Sequence, residues 1–216
     1  FFTNLGRCYQ IKMYDIPEGK RATKGKSIMN FLSLGDGERV TSILPMPKEL
    51  KKESLGLMLM TKQGTAKKMS AESFKDVRRS GIIAVKLPKG DELVAALFTQ
   101  ATDEIIFATS NGQSMRTKES DFREMGRSAG GVRGIKLSKG DFVIGVDVVR
   151  ANDKKAEFLV LGENGVGKKT ELGEYKTQNR GGSGIKTAKV TSKTGKLIVA
   201  KVLRGDESEL IAMSKK

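Results

Sequence analysis

Histidine is absent from this 216-residue sequence. With it go the commonest general base, every Ser-His or Cys-His dyad and the usual imidazole metal ligand. A single cysteine, Cys8, excludes a disulfide framework, and a reducing cytoplasm is the simplest setting for such a chain. Zinc would lack both thiolate and imidazole partners, so neither a metal nor a cofactor is expected. Paired carboxylates such as Asp103-Glu104 and Asp206-Glu207 precede strand-like segments, with nothing to mark them as an acid/base pair. No apolar run approaches the ~18 residues of a membrane helix. The longest runs, 55–60 and 143–149, have the length of strands. The opening Phe1-Phe2-Thr3-Asn4-Leu5-Gly6 has no basic stretch and no cleavage site, so it is not read as a signal peptide. It reads as the middle of a strand, and the sequence is expected to be a piece of something longer.

What is present is positive charge. Lys+Arg number 40 against 25 Asp+Glu, a net charge of +15 and a pI near 9.9. Such an excess points to a polyanion partner. Aromatics are only 6% of the chain and tryptophan is missing. Single-strand binders stack bases on aromatic platforms, so the shortage favours duplex DNA. Phe122, Phe142, Phe158 and Tyr175 are expected in packing roles.

The second thing present is an internal repeat, visible in three landmarks. The first is a strand ending in a glycine turn, with glycines at 6, 64, 112 and 165, spaced 58, 48 and 53 residues apart. Asn-Gly at 111–112 and 164–165 predicts type I′ hairpins. The second is a basic, glycine-containing loop leading into a short strand: Lys24 to Ile28, Arg78 to Ile82, Gly131 to Ile135 and Arg180 to Ile185. The third is a glycine turn that opens a β-branched strand, at Gly37, Gly90, Gly140 and Gly195. A period near 50 with several short strands per unit predicts an all-β propeller of about four-stranded blades. The expected repeats are 1–54, 55–102, 103–155 and 156–207 of one domain spanning 1–216, with 208–216 as the first strand of a further repeat.

The basic residues recur with the repeat. Arg7 and Lys12, Lys67 and Lys68, Arg116 and Lys118, and Lys168 and Lys169 follow the turn glycines. Arg21, Lys24 and Lys26, Arg78 and Arg79, Arg127 and Arg133, and Arg180 occupy the glycine loops; Lys136 and Lys186 lie in the strands after them. Equivalent positions in blades lie at equivalent radii, so these charges are expected to form a DNA-binding belt on phosphates, which carry affinity rather than sequence information. The stretch Gly162 to Lys168 matches G-x-x-x-x-G-K, but Lys169 stands where Ser or Thr must hold magnesium and no helical pattern follows. A nucleotide loop is therefore not expected.

Blade by blade, these residues resemble the C-terminal domain of the DNA gyrase A protein. Phe1 to Arg7, Tyr14 to Glu18, Lys24-Gly25 and Ile28 to Asn30 resemble its second blade, and Arg78 to Val85 its third. Met125 to Leu137 resembles its fourth, and Tyr175 with Gln178 to Ile185 its fifth. The resemblance implies a β-pinwheel, four blades of a six-bladed array, in which neighbouring blades exchange a strand. It implies a non-catalytic module of an ATP-dependent type II topoisomerase that wraps duplex DNA around its rim to support negative supercoiling. The implied partners are double-stranded DNA, the rest of the gyrase A protein and the gyrase B protein of an A2B2 holoenzyme, in the bacterial cytoplasm at the nucleoid. The isolated domain is expected to be a monomer with no membrane partner. The family's box, Q-R-R-G-G-K-G, belongs to the first blade, which the sequence does not contain. Gln178, Arg180, Gly181, Gly182 and Gly184 match five of its seven positions, while Asn179 and Ser183 depart from it. Binding is therefore expected more firmly than wrapping. Two alternatives stand beside this reading: the equivalent domain of the A-type protein of topoisomerase IV, and a protein-interaction propeller.

Overall fold

The computed structural model describes residues 1–20, 22–47, 55–153 and 155–205. The strand expected over 208–216 and the candidate Arg21 lie outside the described residues. Two compact units emerge: residues 1–100 with 123–132, and residues 101–122 with those from Arg133 onward. Among the described residues helical structure is confined to short 3-10 turns, as expected of an all-β chain.

Each repeat contributes a hairpin and a third strand that pairs with the first. In the first unit these are β1 (Phe2–Thr3), β2 (Arg7–Cys8) and β3 (Val40–Ser42), then β4 (Gly56–Thr61), β5 (Thr65–Ser70), β6 (Ile82–Ile83) and β7 (Leu93–Thr99). The second unit carries β8 (Glu104–Thr109) and β9 (Gln113–Lys118), followed by β11 (Val143–Val149), β12 (Glu157–Gly162), β13 (Gly167–Glu171), β14 (Ile185–Lys186) and β15 (Leu197–Leu203). The strand β10 (Val132–Arg133) falls between them in sequence. The sheet orders are β3-β1-β2-β6, β10-β5-β4-β7, β11-β8-β9-β14 and β13-β12-β15.

These orders contain the strand exchange. β6 comes from the second repeat but pairs with β2 of the first, Arg7 opposite Ile83 and Cys8 opposite Ile82. β14 comes from the fourth repeat but pairs with β9 of the third, and β10 likewise completes the sheet of the second. The glycine loop that looked local in sequence is thus a donor segment reaching the preceding hairpin. The first copy of that segment differs: Ile28–Asn30 forms a 3-10 turn capped by the Ser27 hydroxyl, not a strand.

The turns correct one expectation. No residue other than glycine has positive φ among those described, so Asn111-Gly112 and Asn164-Gly165 are not type I′ turns, which need φ > 0 at both central positions. Instead the Gly112 amide donates to Thr109 O, and Gly165 to Gly162 O, closing the turn one residue earlier. Gly6 and Gly64 do the same to Thr3 and Thr61. The glycine alone sits at positive φ, from 73° to 86° in the four copies. This is the three-residue hairpin loop with a left-handed glycine in last place. The Gly162 to Lys169 stretch is accordingly a hairpin between β12 and β13, with β13 largely exposed and followed by a 3-10 turn.

Each unit has its own core. In the first, Phe2, Leu57, Leu59, Met69 and Leu93 pack with Phe74, whose ring meets Phe2 edge-on at 5.6 Å. In the second, Ile106, Phe158, Val160 and Val202 surround Tyr175, which meets Phe158 edge-on at 5.5 Å and hydrogen-bonds Thr187 Oγ1 at 2.6 Å. Such aromatic pairs add about 0.5–1.5 kcal/mol beyond area burial. Phe122 is buried too, and Phe142 half-buried. Burial pushes the Cys8 thiol up to about 11.

Candidate nucleic-acid interface

The donor segments bring basic residues together. In the second unit two of them touch: Lys136 N donates to Gly182 O at 2.8 Å and Gly181 N to Gly134 O at 2.6 Å. Arg180 adds Nε to Asp121 O at 3.0 Å and a long bond to Arg133 O at 3.4 Å. Arg133, Lys136 and Arg180 are thereby held in one exposed cluster. The glycines are required for the approach. Gly184 sits at φ 72°, and a Cβ there would meet Ser114 O at 2.3 Å.

In the first unit Arg7 reaches across to the donor of the second repeat, its Nη2 donating to Ser80 O at 2.7 Å. It lies over the Tyr9 ring at 5.5 Å and 4.0 Å from Glu38. Arg78 and Arg79 project from that same donor; Arg79 is 86% exposed and 3.6 Å from Asp15. Lys12, Lys24, Lys26 and Arg127 are exposed in this unit, and Lys118, Lys168 and Lys186 in the other. Lys68 is half-buried, its strand bridging to Glu124. Lys169 is exposed but ion-paired to Glu157 at 2.5 Å.

Two candidates are not free surface charges: one is buried and the other is half-buried and ion-paired. Lys67 is 1% exposed; its Nζ donates to Arg127 O at 2.6 Å and Ala84 O at 3.2 Å. Its strand position points it under the incoming donor loop rather than outward. Burial, and then the nearby Arg127 charge, lower its pKa from the ordinary lysine value. Arg116 is paired with Glu104 and donates to Leu172 O at 2.9 Å, so its charge is neutralised within the fold. Sequence reasoning missed the slot that Lys67 fills. The third residue after each turn glycine is Tyr9, Lys67, Met115 or Lys168, and the first three are buried. That mixed chemistry in one column is the signal that could have found it.

Tyr14, at 83%, is the one aromatic among the exposed large hydrophobics of the described residues, which leaves little platform for stacked bases. No helix among those residues is long and apolar enough to cross a membrane.

The sequence matches the family described as DNA gyrase C-terminal domain, beta-propeller, in four blocks: 1–45, 57–100, 103–150 and 156–204. The chain belongs to this family. The DNA gyrase A protein of Staphylococcus epidermidis is 38% identical over 211 residues, 98% of this chain and 23% of that protein. The chain thus spans about a quarter of the length of the curated relatives it matches. A solved DNA gyrase A C-terminal domain superposes with a TM-score of 0.77 at 27% identity, over 94% of this chain and 64% of the other. The C-terminal domain of DNA topoisomerase IV gives 0.82 at 22% identity, over 94% and 62%, a likeness of fold alone. The gyrase family membership, with the strand exchange seen here, makes the fold a β-pinwheel.

Proposed function

We propose that this chain is a non-catalytic duplex-DNA binding domain of a bacterial DNA gyrase A protein. It acts with the rest of that protein and with gyrase B in an A2B2 assembly in the cytoplasm, at the nucleoid. Its role is to hold and bend DNA for negative supercoiling by the parent topoisomerase. The observation that carries the reading is the coupling of donor loops: Arg133, Lys136 and Arg180 come from two repeats whose loops are joined by two backbone hydrogen bonds and by the Arg180 side chain on Arg133 O. Charges held on a rigid sheet scaffold contact phosphates without first losing backbone freedom, and glycines let the chain approach closely. The other exposed candidates, Lys12, Lys24, Lys26, Arg78, Arg79, Lys118, Arg127, Lys168, Lys169 and Lys186, extend the surface. Lys67 and Arg116 are withdrawn from it.

Phosphate contacts predict a log K that falls with log salt at about −0.9 per neutralised phosphate. A triple alanine variant at Arg133, Lys136 and Arg180 is expected to bind a duplex of about 35 base pairs more weakly. Its salt slope should be shallower by up to about 2.7 if each residue neutralises one phosphate, and its thermal melt should remain cooperative. Unchanged affinity in a folded variant, or a flat salt response of the parent chain, overturns the reading.

A further inference from the structure

Lys67 is a lysine in a slot that does not need one. In the third repeat the same slot holds Met115, buried to 1% with its Sδ near the Gly182 backbone; in the first it holds Tyr9, against Gly81. All three side chains lie beneath the donor segment of the following repeat. An apolar side chain therefore satisfies the slot's packing. A lysine there must bring an ammonium out of water, which is strongly unfavourable unless it is hydrogen-bonded. Two carbonyls meet it, Arg127 O at 2.6 Å and Ala84 O at 3.2 Å. They belong to different segments: Ala84 follows β6, the donor strand of the second repeat, and Arg127 begins the glycine loop of the third. Nearby, Met125 N donates to Lys68 O at 2.9 Å, and a Cβ on Gly131 would meet Ala66 O at 2.7 Å. The loop from 125 to 131 thus lies along β5, with the Lys67 ammonium under its one arginine. Arg127 itself is exposed.

We propose that Lys67 is a positioning residue for DNA binding: it pins the Arg127 carbonyl so that the Arg127 guanidinium is presented to a phosphate. This rests on the duplex-binding reading above. A side chain clasping a backbone carbonyl removes loop freedom before binding, so less entropy is lost when the phosphate arrives.

Two measurements test this in the 216-residue chain. The first needs no DNA. The bond after Arg127 is a trypsin site whose carbonyl Lys67 holds. Lys67→Met, the side chain the third repeat uses in this slot, is expected to raise native-state cleavage after Arg127 at least about fivefold, as a loop opening that escapes global unfolding. Cleavage after Arg79 should stay constant. The second measurement is a double-mutant cycle on duplex affinity with Lys67→Met and Arg127→Ala. Each single variant is expected to weaken binding about three- to tenfold and to lower the salt slope by about 0.9. The double variant should be no weaker than the worse single, because residues acting through one contact are non-additive. Lys67→Arg, which keeps the charge, should recover part of the loss. Unchanged cleavage after Arg127 in a folded Lys67→Met chain overturns the clasp. Additive losses in the cycle overturn its link to Arg127. If the parent chain does not bind duplex, the functional reading and the DNA role fall together, while the cleavage result still decides whether Lys67 pins the loop.

Discussion

At the residue scale the strongest constraints sit on buried charges. The Glu38 side chain is 1% exposed and accepts from Thr3 Oγ1, Tyr9 OH and Gly35 N at 2.6–2.9 Å. Burial alone would raise its pKa, but these hydrogen bonds and the Arg7 charge outweigh burial and lower it below the ordinary carboxylate value. A folded pKa below the unfolded one means stability that is present above the unfolded pKa and is lost as pH falls through the folded value. Acid titration of the melt is therefore expected to show a loss beginning near pH ~4 and continuing below it. Glu38→Gln should remove that part of the pH dependence and cost about 1–3 kcal/mol at neutral pH, since the amide leaves charged hydrogen bonds unmade. A variant with parental pH dependence would show that Glu38 titrates without linkage to folding. Arg7, Tyr9 and Glu38 were not legible as a cluster, because Glu38 belongs to the turn before β3 and meets the others only after the sheet forms.

At the element scale the donor strand is the unit that matters. Its glycine serves two needs at once, positive φ and close approach, and substitutions can separate them. Gly184→Ala meets both penalties: φ 72° and a Cβ 2.3 Å from Ser114 O. Gly90 has φ 81° but open space around it. Left-handed φ alone costs about 1–2 kcal/mol, equivalent to a fall of about 2–8 °C in Tm for a chain of this size. Gly90→Ala is expected to stay within that range and Gly184→Ala to exceed it, read by calorimetry. Equal losses would mean that β14 does not depend on the close approach to β9. The periodic glycines revealed these turns, but not their type. Asn-Gly suggested two left-handed residues, whereas the observed hairpins place only glycine there, a choice made by the hydrogen bond to the residue three back.

At the scale of the whole molecule, affinity and wrapping are separate quantities. Bending 20–30 base pairs by 40–90° costs on the order of 1–6 kcal/mol, so several contacts must act together before DNA is deformed. Gln178 to Gly184 departs from the family box at Asn179 and Ser183, and neither side chain is buried. A plasmid relaxed by a nicking-closing enzyme with this chain bound is expected to keep a linking number close to that of the protein-free control. Asn179→Arg with Ser183→Lys is expected to move it measurably. A large shift with the unsubstituted chain would overturn the separation of binding from wrapping.

The repeat, the β class, the basic character and the positions of the turn glycines can all be read from the order of residues alone. Each of these is local or compositional: a glycine turn, a β-branched run and a net charge of +15 are read without knowing what touches what. Which hairpin each short strand joins is visible only once the chain is folded. Ile82–Ile83, Val132–Arg133 and Ile185–Lys186 complete sheets begun by the preceding repeat. Folding also decides which basic residues face solvent. Lys67 and Arg133 look alike as basic residues of a repeat, yet one is sealed beneath a donated loop and the other is exposed. The reason is physical: pairing partners and burial come from contacts across tens of residues, and a strand's period of two places alternate side chains on opposite faces only after its neighbours are chosen.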